Sequence, residues 1–260
     1  MTRSQVLVST DRAATGTGGD AGRYTLRVVQ DGEEVLAAQR LRHQVFAEEM
    51  GATLRSPVPG HDVDEFDRHC DHILVCDDTT GAVVGTYRML PPTGAAAAGM
   101  LYSDTEFDLG ALTGLRGSLV ETGRSCVHPG HRNGAVVGLV WAGIARYMLL
   151  SGHRYLAGCA SVPLTDGGAL AAAVWDVVRH KHYAPEELRV RPLRPWECDD
   201  VPRPARTAVP PLLKGYLRLG AVVCGPPAFD PDFQVADFFV LLDMRQVDER
   251  YLTFFLGERR

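Results

Sequence analysis

The chain has 260 residues, 45% of them hydrophobic, and carries 27 basic against 32 acidic side chains for a formal net charge of −5. This is enough apolar material for one large domain or two small ones, and the acidic balance excludes a global nucleic-acid footprint while allowing local basic patches. Six cysteines, at 70, 76, 126, 159, 198 and 224, form no CxxC pair and several lie in apolar runs, which reads as buried thiols in a reducing compartment rather than disulfides.

The first residues, MTRSQVLVSTDRAATGTGGDAG, hold no apolar segment of the kind a secretory signal needs, and residues 1–22 read as a flexible tail. RYTLRVV then alternates like a strand, and EEVLAAQRLRHQVFAEEM follows at helical spacing, with Asp31 placed to cap it. GATLRSPVPGHDVDEFDRHCD is an acidic, turn-rich loop. HILVCDD and AVVGTYRML read as a hairpin around DDTTGA. Residues 91–117 give no clear pattern. SLVETGRSCV is the next strand and AVVGLVWAGIARYMLLSG the next helix. That apolar stretch is interrupted by Arg146 and is too short for a bilayer core of about 30 Å. YLAGCASVPL is a buried strand and GGALAAAVWDVVRHKHY a helix. Residues 184–211 are rich in proline and arginine and read as a long loop or arm. A short helix in PLLKGYLRLGA and two strands, VVCGPPAFDPDF and VADFFVLLDM, complete the chain. Strands often follow one another directly, which fits an α+β mixed sheet better than strict βαβ winding. The expectation is a tail followed by a single domain over 23–260, cytoplasmic, with peripheral contact to the inner face of a membrane.

The stretch LVETGRSCVHPGHRNG, residues 119–134, carries the strongest signal. Strict alternation would put Glu121 and Arg124 on opposite faces of a buried strand. A bulge near Gly123 would bring them to one face, and glycine inside a strand marks such places. Two readings of the pair stand side by side, a buried ion pair and a catalytic one. The basic, glycine-containing loop ahead of the helix can present backbone N–H groups to a phosphate.

In this bulged strand and loop the sequence resembles the GNAT acyltransferases. The resemblance implies bulged, splayed central strands, a gap for the pantetheine arm of an acyl thioester, and a helix N-terminus at its phosphates. Cys126, Val127, His128, Arg132, Asn133 and Gly134 would line that donor side. The spacing in HRNGAV departs from the usual phosphate loop, which favours a donor with a single phosphodiester, acyl carrier protein, over coenzyme A. Upstream, Arg42 and Phe46 in RLRHQVFAEEM, Asp64 and Asp67 in HDVDEFDRHCD, and Arg88 in VVGTYRML precede Glu121 and Arg124 in an order similar to the acyl-homoserine lactone synthases. The C-terminal run PPLLKGYLRLGAVVCGPPAFDPDFQVADFFVLLDM resembles the bacterial ornithine lipid N-acyltransferases, some of them called hemolysin-like.

The resemblance implies transfer of a long-chain, 3-hydroxylated or plain, acyl group from acyl carrier protein to the α-amine of an amino acid such as ornithine, giving an N-acyl amino acid lipid precursor. Glu121 would act as base, and Asp64 and Asp67 would hold the cationic acceptor. Phe46 and Ser161 would contact substrate, and Arg42, Arg88 and Arg124 would either order the acidic loop or bind the amino acid carboxylate. No tightly bound cofactor and no metal are expected, since His61, His69 and His72 beside the aspartates complete no ligand spacing. Basic residues at 179–182, 189, 191, 194, 203 and 206 suit an acidic carrier protein or an anionic membrane, or an ordinary solvated surface. Two alternatives remain open. One is a coenzyme A-dependent transferase for another amine, including an acyl-homoserine lactone synthase-like enzyme. The other is a non-catalytic module that binds acyl chains or their carrier.

Overall fold

A computed structural model of the chain describes residues 5–9, 24–30, 32–248 and 250–251. The chain divides into two compact units: Met1–Gly94 with Thr122–Gly152 and Glu249–Arg260, and Ala95–Glu121 with His153–Asp248. Each is taken by itself.

Unit 1 is built on antiparallel strands β1 (Gln5–Ser9), β2 (Tyr24–Val29), β3 (Asp71–Asp77) and β4 (Val83–Leu90), paired in that order. Strand β1 comes from a segment that the sequence assigns to a tail. The Val/Leu alternation of QVLVS suits a strand and was overshadowed by its polar surroundings. Beyond β4 lies the second half of a long strand numbered β6 below. Helix α1 (Glu33–His43) starts with Glu33 and Glu34 and ends with Arg40, Arg42 and His43, a charge order that complements the helix dipole. Its N-cap position is Gly32, while Asp31, the expected cap, lies outside the described residues. The helix continues as a π-helical stretch, Gln44–Glu49, a distortion frequent at functional sites. After β4 comes a short helix α2 (Pro92–Ala98). Gly94 lets its backbone lie directly on the carbonyl of His69, a place where any Cβ would collide.

Helix α3 (Gly134–Ser151) is the apolar helix expected from sequence. Its side chain cap is Asn133, its end is a left-handed Gly152, and it packs on β1, β2, β3 and β4. Gly143 makes that approach possible, because a Cβ there would stand 2.7 Å from Leu26 Cδ1. By length and composition α3 is apolar enough to cross a membrane, and half of it is buried inside the protein. The core beneath α3 includes Leu26, Ile73 and Met148, while Leu74 packs with Val29, Val35 and Ala38 on the α1 side, all but Val35 essentially without exposure.

Unit 2 contains the short strand β5 (Phe107–Asp108), the first half of β6 (Leu119–Val127) and β7 (Tyr155–Pro163). Strand β6 pairs in parallel with β7, Leu119–Glu121 against Tyr155–Ala157. Next come α4 (Ala169–Lys181), β8 (Arg191–Pro192), α5 (Pro211–Arg218), β9 (Val222–Val223), β10 (Ala228–Asp230) and β11 (Val235–Asp243). Strand β11 pairs along its whole length with β7 and also with β9 and β10. The Pro/Arg-rich segment is therefore not featureless, since β8 pairs with β5, and the short helix expected after it is α5, which starts with Pro211 in its first turn and buries Leu213 and Tyr216. The core centres on Phe107, Phe238 and Phe239.

Candidate active site

Strand β6 carries the expected irregularity, one residue later than the glycine that signals it. Arg124 adopts φ 52°, a left-handed conformation rare for a side-chain-bearing residue, while Gly123 keeps an ordinary φ. The kink costs backbone energy and aims the Arg124 guanidinium at the acidic loop, with Nε 3.1 Å from Asp62 Oδ2 and Nη2 3.3 Å from Asp64 Oδ2.

There it closes a ring. Arg42 holds Asp62 through Nε at 2.9 Å and Asp67 through a bidentate pair at 2.9 and 2.7 Å. Arg88 bridges Asp67 at 3.0 Å and Asp64 at 2.5 Å, and Arg124 joins Asp64 back to Asp62. Positive and negative groups alternate, so the ring is balanced. Gln39 Nε2 also donates to Asp67, and His72 Nε2 bonds the Asp67 carbonyl. Burial pushes the Asp67 carboxyl up, but the Arg42 bonds and the Arg42 and Arg88 charges overcome it and hold it far below the carboxylate range. Asp64 is likewise held low against burial, by Arg88 and Arg124. His72 is kept neutral, chiefly by burial. Phe46 is a buried core side chain beside this region. Five of the residues expected at a substrate site, Arg42, Asp64, Asp67, Arg88 and Arg124, thus neutralise one another within unit 1.

Glu121 lies in unit 2 and has other partners. Its Oε2 accepts the Tyr102 backbone N–H at 2.6 Å and its Oε1 that of Ser103 at 2.8 Å, at the start of a 3-10 turn. These bonds fix the carboxylate, which is 4% exposed. From Ser103 a chain of polar contacts continues. The Ser103 hydroxyl meets Cys159 Sγ at 3.3 Å, and the Cys159 thiol donates to Glu106 Oε2 at 3.6 Å. Glu106, Asp230 and Asp237 bring one carboxylate oxygen each within 4.8 Å of the others, close enough to share a cation. Ser161 Oγ donates to Asp237 Oδ1 at 2.5 Å. Burial first, then the charges of Asp237 and Asp230, pushes the Glu106 carboxyl up to about 9. Burial and the nearby Glu106 likewise raise the Cys159 thiol, so it is no nucleophile.

Sequence reasoning singled out Ser161 and Glu121 but not their neighbours Glu106, Asp230 and Asp237. One signal was available: Asp237 stands inside VADFFVLLD, a charge in an otherwise apolar buried strand, as Glu121 does in β6. Glu106 has no such mark in TEFDLG. The histidines set aside as metal ligands do not converge: His61 bonds Arg40 and the Pro59 carbonyl, His69 bonds Arg68, and His72 the Asp67 carbonyl.

On the expected donor side, Cys126 is buried and its thiol pushed up to about 12 by that burial. The Val127 carbonyl accepts from Arg132 Nε at 3.1 Å. The His128 backbone N–H donates to the Val84 carbonyl, and its Nδ1 accepts from Gly130 N–H at 3.1 Å. Arg132 grips Glu49 with both terminal nitrogens at 2.6 Å. Asn133 Oδ1 takes the first amides of α3, Ala135 at 3.0 Å and Val136 at 3.1 Å, just past Gly134.

Comparison with known proteins agrees with this architecture. Residues 41–142 match the acetyltransferase (GNAT) domain family. The chain is 39% identical over 249 residues to an L-ornithine N(alpha)-acyltransferase of Rhodobacter capsulatus, covering 89% of this chain and 94% of the relative. It is 36% identical over 255 residues to the enzyme of the same name from Rhizobium meliloti, covering 91% and 86%. Among solved structures, the CoA-dependent acyl-homoserine lactone synthase BjaI matches with a TM-score of 0.52 at 19% identity, over 88% of this chain and 84% of that one, a likeness of fold. With a GNAT fold and curated relatives across nearly its whole length, the chain belongs to the L-ornithine N(alpha)-acyltransferase family and is an acyltransferase.

Proposed function

We propose that this chain transfers a long-chain acyl group, 3-hydroxylated or plain, from the thioester of acyl carrier protein to the α-amine of ornithine. The observation that carries the acceptor half is the group Glu106, Asp230 and Asp237. Burial and the neighbouring Asp237 and Asp230 raise the Glu106 carboxyl, so three acidic groups gather at one place. Ornithine brings two ammonium groups. Its side-chain ammonium is attracted to these carboxylates, and Ser161 orients Asp237 through its 2.5 Å hydrogen bond. This moves the acceptor-binding role away from Asp64 and Asp67, whose charge the arginine ring already answers.

The chemistry follows from the acceptor's state. An α-ammonium cannot attack until it loses a proton, and Glu121, fixed by the Tyr102 and Ser103 amides, takes that proton directly or through one water. The amine nitrogen then bonds to the thioester carbonyl carbon. The C–S bond of the tetrahedral adduct then breaks, and the leaving thiolate takes up a proton. The donor's phosphate lies against Arg132 and the first turn of α3.

The carrier-protein donor rests on the short phosphate loop and on unit 2's basic residues. Arg179 and Arg203 are already engaged with Asp176, and Arg189 stacks on Tyr183. Arg191, Arg194 and Arg206 are exposed and available to an acidic partner or anionic membrane surface.

The test is direct. Incubation with palmitoyl carrier protein or palmitoyl-CoA and a panel of amines should yield N-palmitoyl ornithine by mass spectrometry, with carrier-protein turnover weakening steeply with salt. Glu121→Gln should abolish product. Turnover of other amines with none of ornithine would overturn the acceptor assignment, and binding without any turnover would favour a non-catalytic module.

A further inference from the structure

The expected phosphate-binding groups are not waiting empty-handed. Arg132 directs both terminal nitrogens to the two oxygens of Glu49 at 2.6 Å, the fork-to-fork geometry with which an arginine also receives a phosphate. Its third nitrogen, Nε, donates to the Val127 carbonyl at the end of β6. The ion pair occupies one N–H of each terminal nitrogen of Arg132, just ahead of α3 in the chain. Glu49 is the last residue of the π-helical stretch, and each added residue turns the following side chains by about 100° relative to an uninterrupted α-helix. The distortion therefore sets the direction from which Glu49 reaches the arginine. The neighbouring Glu48 points elsewhere and pairs with His43.

We propose that Glu49 is an internal occupant of the donor-phosphate position, a carboxylate that holds Arg132 ready and is displaced when the thioester's phosphate arrives. This rests on the reading that Arg132 receives the donor phosphate. Both partners are partly exposed, with side-chain exposures of 45% for Arg132 and 37% for Glu49, so the contact is screened and weakly held. A phosphate brings more acceptor oxygens to the same fork. The Arg132 bond and charge, against slight burial, keep Glu49 ionised well below neutral pH, so the competition persists at any working pH. Glu49 is thus a positioning residue that tunes donor affinity through Arg132.

Steady-state kinetics with palmitoyl carrier protein and palmitoyl-CoA, at saturating ornithine, tests this. Glu49→Gln keeps size and removes the competing charge. It should lower donor KM by about two- to fivefold, the scale of an exposed ion pair, with the change in KM rather than kcat. Glu48→Gln removes the same charge one residue away and should change KM by clearly less. In an Arg132→Gln background, which itself raises donor KM, Glu49→Gln should have no further effect. An unchanged or raised KM in Glu49→Gln, or an equal fall in Glu48→Gln, overturns the role of Glu49 while leaving Arg132 as phosphate ligand. A donor KM untouched by Arg132→Gln removes the phosphate reading and this proposal together.

Discussion

The acidic loop of unit 1 and the carboxylates of unit 2 are both buried or half-buried, yet their charges are set in different ways. Asp62, Asp64 and Asp67 alternate with Arg42, Arg88 and Arg124 in a closed ring. Glu106 instead faces Asp230 and Asp237, and its proton affinity rises as a result. Buried charge is expensive, and it persists either by pairing or by staying protonated until something else pairs with it. The first solution fixes a loop to a sheet. The second gathers carboxyl groups and raises the proton affinity of one of them. The difference teaches that an ordered row of charged residues in a sequence is as consistent with scaffolding as with substrate binding, and that the sign of the local imbalance separates the two.

Breaking the ring should give the largest effect. Arg42 is fully buried, and Arg42→Met takes one of two arginine partners from both Asp62 and Asp67 and leaves the ring one charge negative, so denaturant unfolding should show a loss of about 3–5 kcal/mol. A loss below about 1 kcal/mol would mean that the ring carries no structural weight. The opposite change in unit 2, Asp237→Asn, relieves repulsion and should cost little stability. It should raise KM for ornithine by about 10- to 100-fold, the worth of a charge-assisted hydrogen bond, and much less for an α-amino acid without a side-chain amine. Equal effects on both acceptors would sink the distinction between the regions.

A pH series sharpens it. The Glu106 carboxyl is raised, so it is neutral at pH 7 and ionises as pH climbs towards about 9. A cationic acceptor binds the ionised form better, so ornithine KM should fall with rising pH over that window, by no more than about tenfold per unit, and Glu106→Gln should flatten this dependence. The smallest effect belongs to the ring's neighbour His72. Its folded pKa is depressed by burial, so the unfolded chain binds more protons below about pH 6.5. The stability it contributes is present above that pH and is lost as pH falls through the folded value. His72→Gln should therefore flatten the decline in melting temperature on mild acidification, and an unchanged slope would place the sensitive group elsewhere.

Much of the architecture was legible because its signals are local. The helical periodicity behind α1, α3 and α4, the DDTTGA hairpin and the apolar runs of β7 and β11 all appear at their expected places. The irregularity in β6 was legible too, but its position was not. Gly123 marked it, whereas the left-handed residue is Arg124, because the ring rewards an arginine aimed at Asp62 and Asp64 more than the backbone resists the conformation. Residues 91–117 escaped interpretation for a related reason. Their 3-10 turns and the short β5 have little periodicity of their own and depend on partners such as Glu121 and β8, which lie far along the chain.

By itself the sequence determined the element order, the apolar faces, the soft spot in β6 and the presence of the charged residues around it, since spacing, glycine placement and side-chain chemistry act over a few residues. Only the tertiary structure decided which charges meet. It gave Asp64 and Asp67 to arginines from a helix and two strands, gave Glu121 to the amides of Tyr102 and Ser103, and gathered Glu106, Asp230 and Asp237 from three separate segments. Coulomb interaction and desolvation depend on distance in space and on exclusion of water, and neither quantity is written in the order of residues along a chain.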